Sequence, residues 1–435
     1  MRLAQWFSPP LESTMRRTPW TLVLIAVLAF FAPSTLGAAR AAAVTPRLSD
    51  IVASGTSYGS YVLSDLASVR SGPTAYSTLG CTRATPLTRT NSAATVTVPV
   101  VGQVGAVSTS VRTSQTTTAK TAQADSTTAS VNLLGGLITG STLRSTAATT
   151  ISSTGVTTNR QSVSFASLRV SGVAVAANPA PNTTLALRSG STVIGKVVVN
   201  EQSRQASPWA GIATTRVLSV YITSSNPLGL PIGTRIIVGH AGVLAKASPA
   251  GQVGGAGFAA RSALADGTVK NGPLSYMTVP CLGGTASASA ASLAQPGVLT
   301  AGATRTDTSS SVGSSLRSSV VSKVTGLSLL GGLITADAVT ASATTTRSAP
   351  GAAPVSTDGS TVANLRVARV PVIDGTVAPN TVVRIPGVAT VTLHKVVRTS
   401  TGLTVTMVEV RLEKVFGALP TGSLVEVAQA RTYVV

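Results

Sequence analysis

Leu133-Leu134-Gly135-Gly136-Leu137-Ile138-Thr139 recurs unchanged as Leu329-Leu330-Gly331-Gly332-Leu333-Ile334-Thr335, 196 residues later. This identity sits inside a longer series. Upstream, Gly72-Pro73, Tyr76 and Cys81 recur as Gly272-Pro273, Tyr276 and Cys281, all at an offset of 200. Downstream, Leu168-Arg169-Val170 recurs as Leu365-Arg366-Val367, and Pro181-Asn182-Thr183 as Pro379-Asn380-Thr381. Leu230-Pro231 and Gly233 recur as Leu419-Pro420 and Gly422, at an offset of 189. The order is collinear and the offset drifts slowly, as small insertions and deletions produce. The chain therefore reads as two divergent copies of one module. Module one spans 47–245 and module two 257–435. Pro249, Gly251, Gly254 and Gly255 mark residues 246–256 as a linker.

Within each module the hydrophobic period is two. Thr95-Val96-Thr97-Val98 alternates, and Val197 to Val199 is matched by Val391 to Leu393. Leu218, Val220 and Ile222 share one strand face, as do Val408, Val410 and Leu412. Asp266-Gly267, Asp358-Gly359, Asp374-Gly375, Asn226-Pro227 and Ser400-Thr401-Gly402 are turn signals between such runs. Short strands with regular turns predict an all-β chain with one sandwich or barrel per module. The repeated Leu-Leu-Gly-Gly-Leu-Ile-Thr segment is apolar on both faces and reads as a central strand kinked or bulged at Gly-Gly.

Composition agrees with strands and narrows the surface chemistry. Only 3 % of the 435 residues are aromatic and 11 % charged. Val and Thr favour pleated, half-buried surfaces. Ser and Thr must cover much of the exterior. The formal charge is +20. Residues 1–41 take four Arg and one Glu of the 33 basic and 13 acidic residues, leaving 29 and 12. The basic residues are mostly Arg. Such a surplus points to a polyanion, either nucleic acid or a phosphate-bearing wall polymer. The plainer reading is that the Arg residues are scattered singly along strands, since no basic run exists.

The N-terminus has the parts of a secretory signal over residues 1–41. Arg16-Arg17 forms the positive region, and Trp20 to Ala32 a 13-residue apolar core. Ala39-Arg40-Ala41 or Ala41-Ala42-Ala43 offers the cleavage site. That core is short for a bilayer span, and Pro33 closes it. Met15 is an alternative start. The expected compartment is the cell exterior or surface, with membrane contact only during export and no nucleic-acid partner in vivo.

Export implies an oxidising compartment. Cys81 and Cys281 hold equivalent positions, so they are candidates for one inter-module disulfide; otherwise each is a buried apolar thiol.

Motifs for catalysis are thin. Gly55-Thr56-Ser57-Tyr58-Gly59 fits a nucleophile elbow, but no helix follows and Gly257 replaces Ser57 in module two. Gly190 to Lys196 resembles a phosphate loop, yet Val197 stands where a magnesium-binding hydroxyl is required; a hairpin turn is expected. His240 and His394 do not correspond between modules and read as surface or strand-end residues. Two His and two distant Cys do not make a zinc site, and the acids lack calcium-loop spacing. Glu409, Glu413 and Glu426 form the densest acidic group and supply the one candidate carboxylate pair. No cofactor is expected. Trp209 lies in Ser203 to Thr215, a segment without a counterpart in module two, and reads either as a contact loop or as packing over a sheet edge. Leu419-Pro420-Thr421-Gly422 falls one residue short of a sortase signal.

The repeated motifs bear a family resemblance. Leu329 to Thr340 (LLGGLITADAVT), Gly195 to Gln202 (GKVVVNEQ), Pro181-Asn182-Thr183 and Leu403 to Val410 (LTVTMVEV) resemble the choice-of-anchor P family of secreted actinobacterial proteins. The resemblance covers nearly all of the mature chain, once per module. It departs where Gly140-Ser141 faces Ala336-Asp337 and where His394-Lys395 faces Asn200-Glu201. It implies export and surface association and carries no catalytic residues; no C-terminal anchor is recognised. The expected function is that of a non-enzymatic structural or binding protein contacting an anionic envelope polymer. The alternatives are an extracellular hydrolase using Ser57, Glu409 or Glu413, and a secreted adhesin.

Overall fold

Alternation becomes architecture in the strand Ala119–Leu133, where buried and half-buried residues alternate along most of its length. The computed structural model describes residues 45–64, 71–98, 100–263, 269–295, 297–368, 370–417 and 419–435. The signal-peptide reading, and the Asp266-Gly267 turn, lie outside the described residues.

The chain is all-β, with several antiparallel sheets. In the first half, one sheet runs in the order Thr183–Ser189, Thr192–Ser207, Ala210–Ile222, Arg235–Ala247, Ile51–Leu63, Ser77–Thr82. The corresponding order in the second half is Thr381–Ile385, Ala389–Thr399, Gly402–Leu412, Leu424–Val434, Val253–Ala263, with Val269–Leu274 and Met277–Thr278 beyond. Each half adds a second sheet centred on a long hairpin. The hairpin is Ala119–Leu133 with Ile138–Ser152 in the first half, and Leu316–Leu329 with Ile334–Arg347 in the second. In both halves the first strand pairs with the last: Ile51 opposes Ala247, and Val253 opposes Val434. Each half thus brings its two chain ends together as neighbouring strands of one open sheet.

The repeated apolar segment is not a kinked central strand. Leu133 ends one strand, Leu134 to Leu137 turn, and Ile138 begins the next. Leu134, Gly135 and Gly136 all have positive φ, as do Leu330, Gly331 and Gly332. That left-handed run reverses the chain and is open to glycine at little cost. The leucines remain apolar because the turn folds under the sandwich: Leu134 and Leu330 are buried. Gly190-Ser191 is a hairpin turn. The 246–256 connection is shorter than its composition implies. Lys246-Ala247 end one strand and Val253 begins another, so only Ser248 to Gln252 lie between. Asp374-Gly375, expected as a turn, closes the strand Val370–Gly375.

The cores are built from Val, Leu, Ile and Ala. Leu218, Val220, Ile222, Val408, Val410 and Leu412 are all buried. Each such side chain contributes about 1.5–3 kcal/mol. Small residues let the sheets approach closely. A Cβ on Gly55 would lie 2.7 Å from Val111, and one on Gly59 2.4 Å from Val107. The Gly-x-Ser-x-Gly pattern therefore records sheet-to-sheet contact on one face of a strand. Ser57, between the two glycines, is fully buried; its hydroxyl donates to the Asp125 carbonyl (2.6 Å) and lies 3.1 Å from the His240 carbonyl.

Candidate functional site

The two halves meet along the edge strand Ser77–Thr82. Cys81 and Cys281 are joined there by a disulfide, with Cα atoms 5.5 Å apart. Val52 and both sulfurs form a small buried cluster. Tyr76 meets Tyr276 edge-on, centroids 5.2 Å apart. The connection Ser248 to Gln252 clamps the strand end. Gln252 Nε2 donates to the Cys81 carbonyl (2.5 Å), Arg83 N donates to Gln252 Oε1 (2.9 Å), and Tyr433 OH also donates to the Cys81 carbonyl. Arg83 in turn donates to the Ser248 carbonyl. An unpaired strand edge invites foreign pairing; here the other half supplies the partners. Lys120 is buried near this end and donates to the carbonyls of Ile51 (3.0 Å) and Arg83 (2.7 Å). Burial, with Arg83 nearby, lowers its pKa to about 8.

Two clefts open at this junction. One, of about 370 Å3, is lined by Tyr76, Tyr276, Phe258, Arg261 and Asn91 among others; the second, of about 620 Å3, by Arg89, Thr401, Thr404 and Tyr433 among others. They share Thr78, Ala256, Tyr276 and Arg431, so they form one groove. Its lining carries Arg89, Arg261 and Arg431 and no carboxylate residue. Arg261 lies over the Phe258 ring, 5.0 Å from its centroid, and is paired with Glu426. Arg431 and Arg89 have no ion-pair partner among the described residues. Burial raises the pKa of Tyr276, and that of Tyr76 well above its ordinary value, so both hydroxyls stay protonated.

The residues singled out from sequence do not converge. Ser57 faces into the sandwich, whereas the His240 side chain lies beside Tyr58 on the other face, rings stacked at 4.3 Å. The nucleophile elbow is absent because Ser57 sits mid-strand. Neither His is a surface residue. His240 is buried, and burial with Arg216 and Arg235 lowers its pKa to about 3. His394 is buried with Nδ1 2.6 Å from the Val377 carbonyl and Nε2 2.7 Å from Asp358. Burial works against the Asp358 charge, but bonds from Ser360 and His394 hold its pKa below the usual value. Glu409 and Glu426 oppose each other on neighbouring strands, each with its own cation, Lys395 and Arg261. Glu413 stands apart and accepts from Thr390 at 2.7 Å. Ser203 to Thr215 is the end of a hairpin, not a loop. Trp209 sits at its turn, half-buried against the core end, with its backbone N–H donating to the Gly155 carbonyl at 2.9 Å. A Cβ on Gly155 would fall 2.3 Å from the Trp209 ring nitrogen, so the indole is seated on that glycine. Among the described residues, no three His, Cys, Asp or Glu side chains gather to hold a metal.

Sequence reasoning marked Tyr76, Tyr276 and the cysteines through their shared offset. It passed over Arg431 and Arg89, which no repeat or run distinguishes. It also missed Glu201, which Ser219, Arg216 (2.9 Å), Arg235 (3.3 Å) and Tyr221 (3.2 Å) surround on the outer sheet face. Burial opposes the Glu201 charge, yet these partners outweigh it and lower the pKa. No family model matches the chain, and no curated protein matches it.

Proposed function

We propose that the chain is an exported, non-enzymatic binding protein that holds an anionic polymer of the cell envelope on its basic, Ser/Thr-covered β modules. The observation that carries this reading is the state of the arginines. Arg144, Arg160, Arg204, Arg317, Arg366 and Arg384 are exposed and have no carboxylate partner among the described residues. Fixed cations without counter-charges are neutralised by mobile anions, and a polyanion that displaces those anions gains their entropy. The resemblance to secreted surface proteins supports the same compartment. Ser57 is sealed in the core, which argues against a serine nucleophile for the hydrolase alternative.

The test is sedimentation of the purified mature protein with isolated cell walls across a salt series. Engagement of about six phosphates predicts a loss of affinity of about a thousandfold between 50 and 200 mM salt. Binding that is indifferent to salt removes the reading. Fractionation of cells adds a second check: the protein belongs in the wall fraction or the medium.

A further inference from the structure

We propose that the groove at the module junction is a saccharide site, which takes a sugar ring bearing a negative charge. This rests on the polyanion reading above and adds a place and a ring chemistry to it. Aromatic residues are scarce, yet five of the six tyrosines, Tyr58, Tyr61, Tyr76, Tyr276 and Tyr433, cluster at or beside the junction. Tyr276 lines both clefts of the groove and is half-buried between them. A pyranose packs its C–H face on such a ring and turns its hydroxyls to polar walls. Those walls are present as Thr78, Thr401, Thr404 and the amides of Asn91 and Gln429. The charge is met by Arg431, at the point the two clefts share, with Arg89 further along. A nucleic acid is a poorer fit. Tyr76 and Tyr276 are locked edge-to-face at 70°, so they offer no parallel pair of platforms for stacked bases.

The duplication supplies an internal comparison. A third cleft, of about 330 Å3, adjoins the first, sharing Ser71, Gly72, Pro73, Pro273 and Tyr276 with it, and adds Tyr61, Ser275, Ser287 and Ser289. By strand register, Ala256 opposes Arg431 as Thr56 opposes Gly242, and Arg261 opposes Glu426 as Tyr61 opposes Ile237. Gly242 thus stands where module two has Arg431, and Tyr61 where it has Arg261. No arginine lines this adjoining cleft, so the cations of the junction lie on the Arg431 side.

The test compares three probes by calorimetry at about 0.15 M salt, on the mature protein and on Arg431→Ala and Arg305→Ala. Polygalacturonate carries a charge on every ring, dextran has rings without charge, and inorganic polyphosphate has charge without rings. Polygalacturonate is expected to bind tightest. Arg431→Ala should weaken it by about tenfold or more, the worth of a charge-assisted contact, and Arg305→Ala, an equal loss of charge at an exposed arginine paired with Asp307 outside the groove, by less than about twofold. Equal losses from both variants, or polyphosphate binding as tightly as polygalacturonate, overturn the groove. Tighter binding of single-stranded DNA than of polygalacturonate overturns it too. In each case salt-dependent wall binding, and with it the broader reading, still stands. Failure to bind walls at any salt defeats the broader reading instead.

Discussion

Cys81 and Cys281, 200 residues apart in the chain, are bonded to each other across the junction of the two halves. The bridge closes a loop that takes in most of module one. By loop-closure entropy a cross-link of that span stabilises the folded state by about 5 kcal/mol. The double variant Cys81→Ser/Cys281→Ser should therefore melt well below the parent, and reductant should lower the parent to match it. Intact mass after alkylation without reductant should show no modified thiol. Two modified thiols would refute the bridge.

Stability should also depend on His240. Its folded pKa is depressed to about 3 by burial and by Arg216 and Arg235, while the unfolded chain titrates near 6.5. Between those values the unfolded state binds the extra proton. The contribution is therefore complete above pH 6.5 and is lost as pH falls towards 3. The slope is about 1.4 kcal/mol per pH unit, or about 2 kcal/mol between pH 6.5 and 5. His240→Gln places in module one the residue that module two has at Gln429, and should flatten this slope. Urea midpoints measured from pH 7 to 4.5 check it; parallel slopes for parent and variant contradict the assignment.

Ser57 ties two sheets together through the Asp125 and His240 carbonyls. Ser57→Ala should cost about 1–2 kcal/mol in denaturant unfolding and leave wall binding unchanged. An activity against wall polymer that disappears in this variant would restore the catalytic serine.

The repeated turn makes a paired prediction. Gly135 and Gly331 share the same left-handed backbone, with open space where an added methyl group would stand. Gly135→Ala and Gly331→Ala should each cost about 1 kcal/mol from the backbone alone, with no change in fold by circular dichroism. A large loss in one module only would show that the two turns are not equivalent.

Much of the fold was legible because strands announce themselves locally. Alternation at Leu218, Val220 and Ile222 needs nothing beyond the pleat to be read. The Leu-Leu-Gly-Gly-Leu-Ile-Thr segment misled for a physical reason. Buried leucines suggest a central strand, and only the positive φ of three consecutive residues reveals a turn tucked under a core. Trp209 stayed open between a contact loop and packing over a sheet edge, because the glycine that seats it, Gly155, lies far off in sequence.

The site was far less legible. Tyr76, Tyr276 and the cysteines could be marked as repeated, but their meeting depends on how the two halves dock. Arg431 gains its meaning from Tyr276 and Thr78, which other strands bring to it. The amino-acid sequence alone determined the all-β class, the repeat and the excess of cations, because composition and periodicity act between near neighbours along the chain. The tertiary structure alone decided that the two cysteines bond, that Ser57 is sealed while Arg431 is open, and that arginines line the junction groove. Those are contacts between strands up to hundreds of residues apart, and no local pattern encodes them.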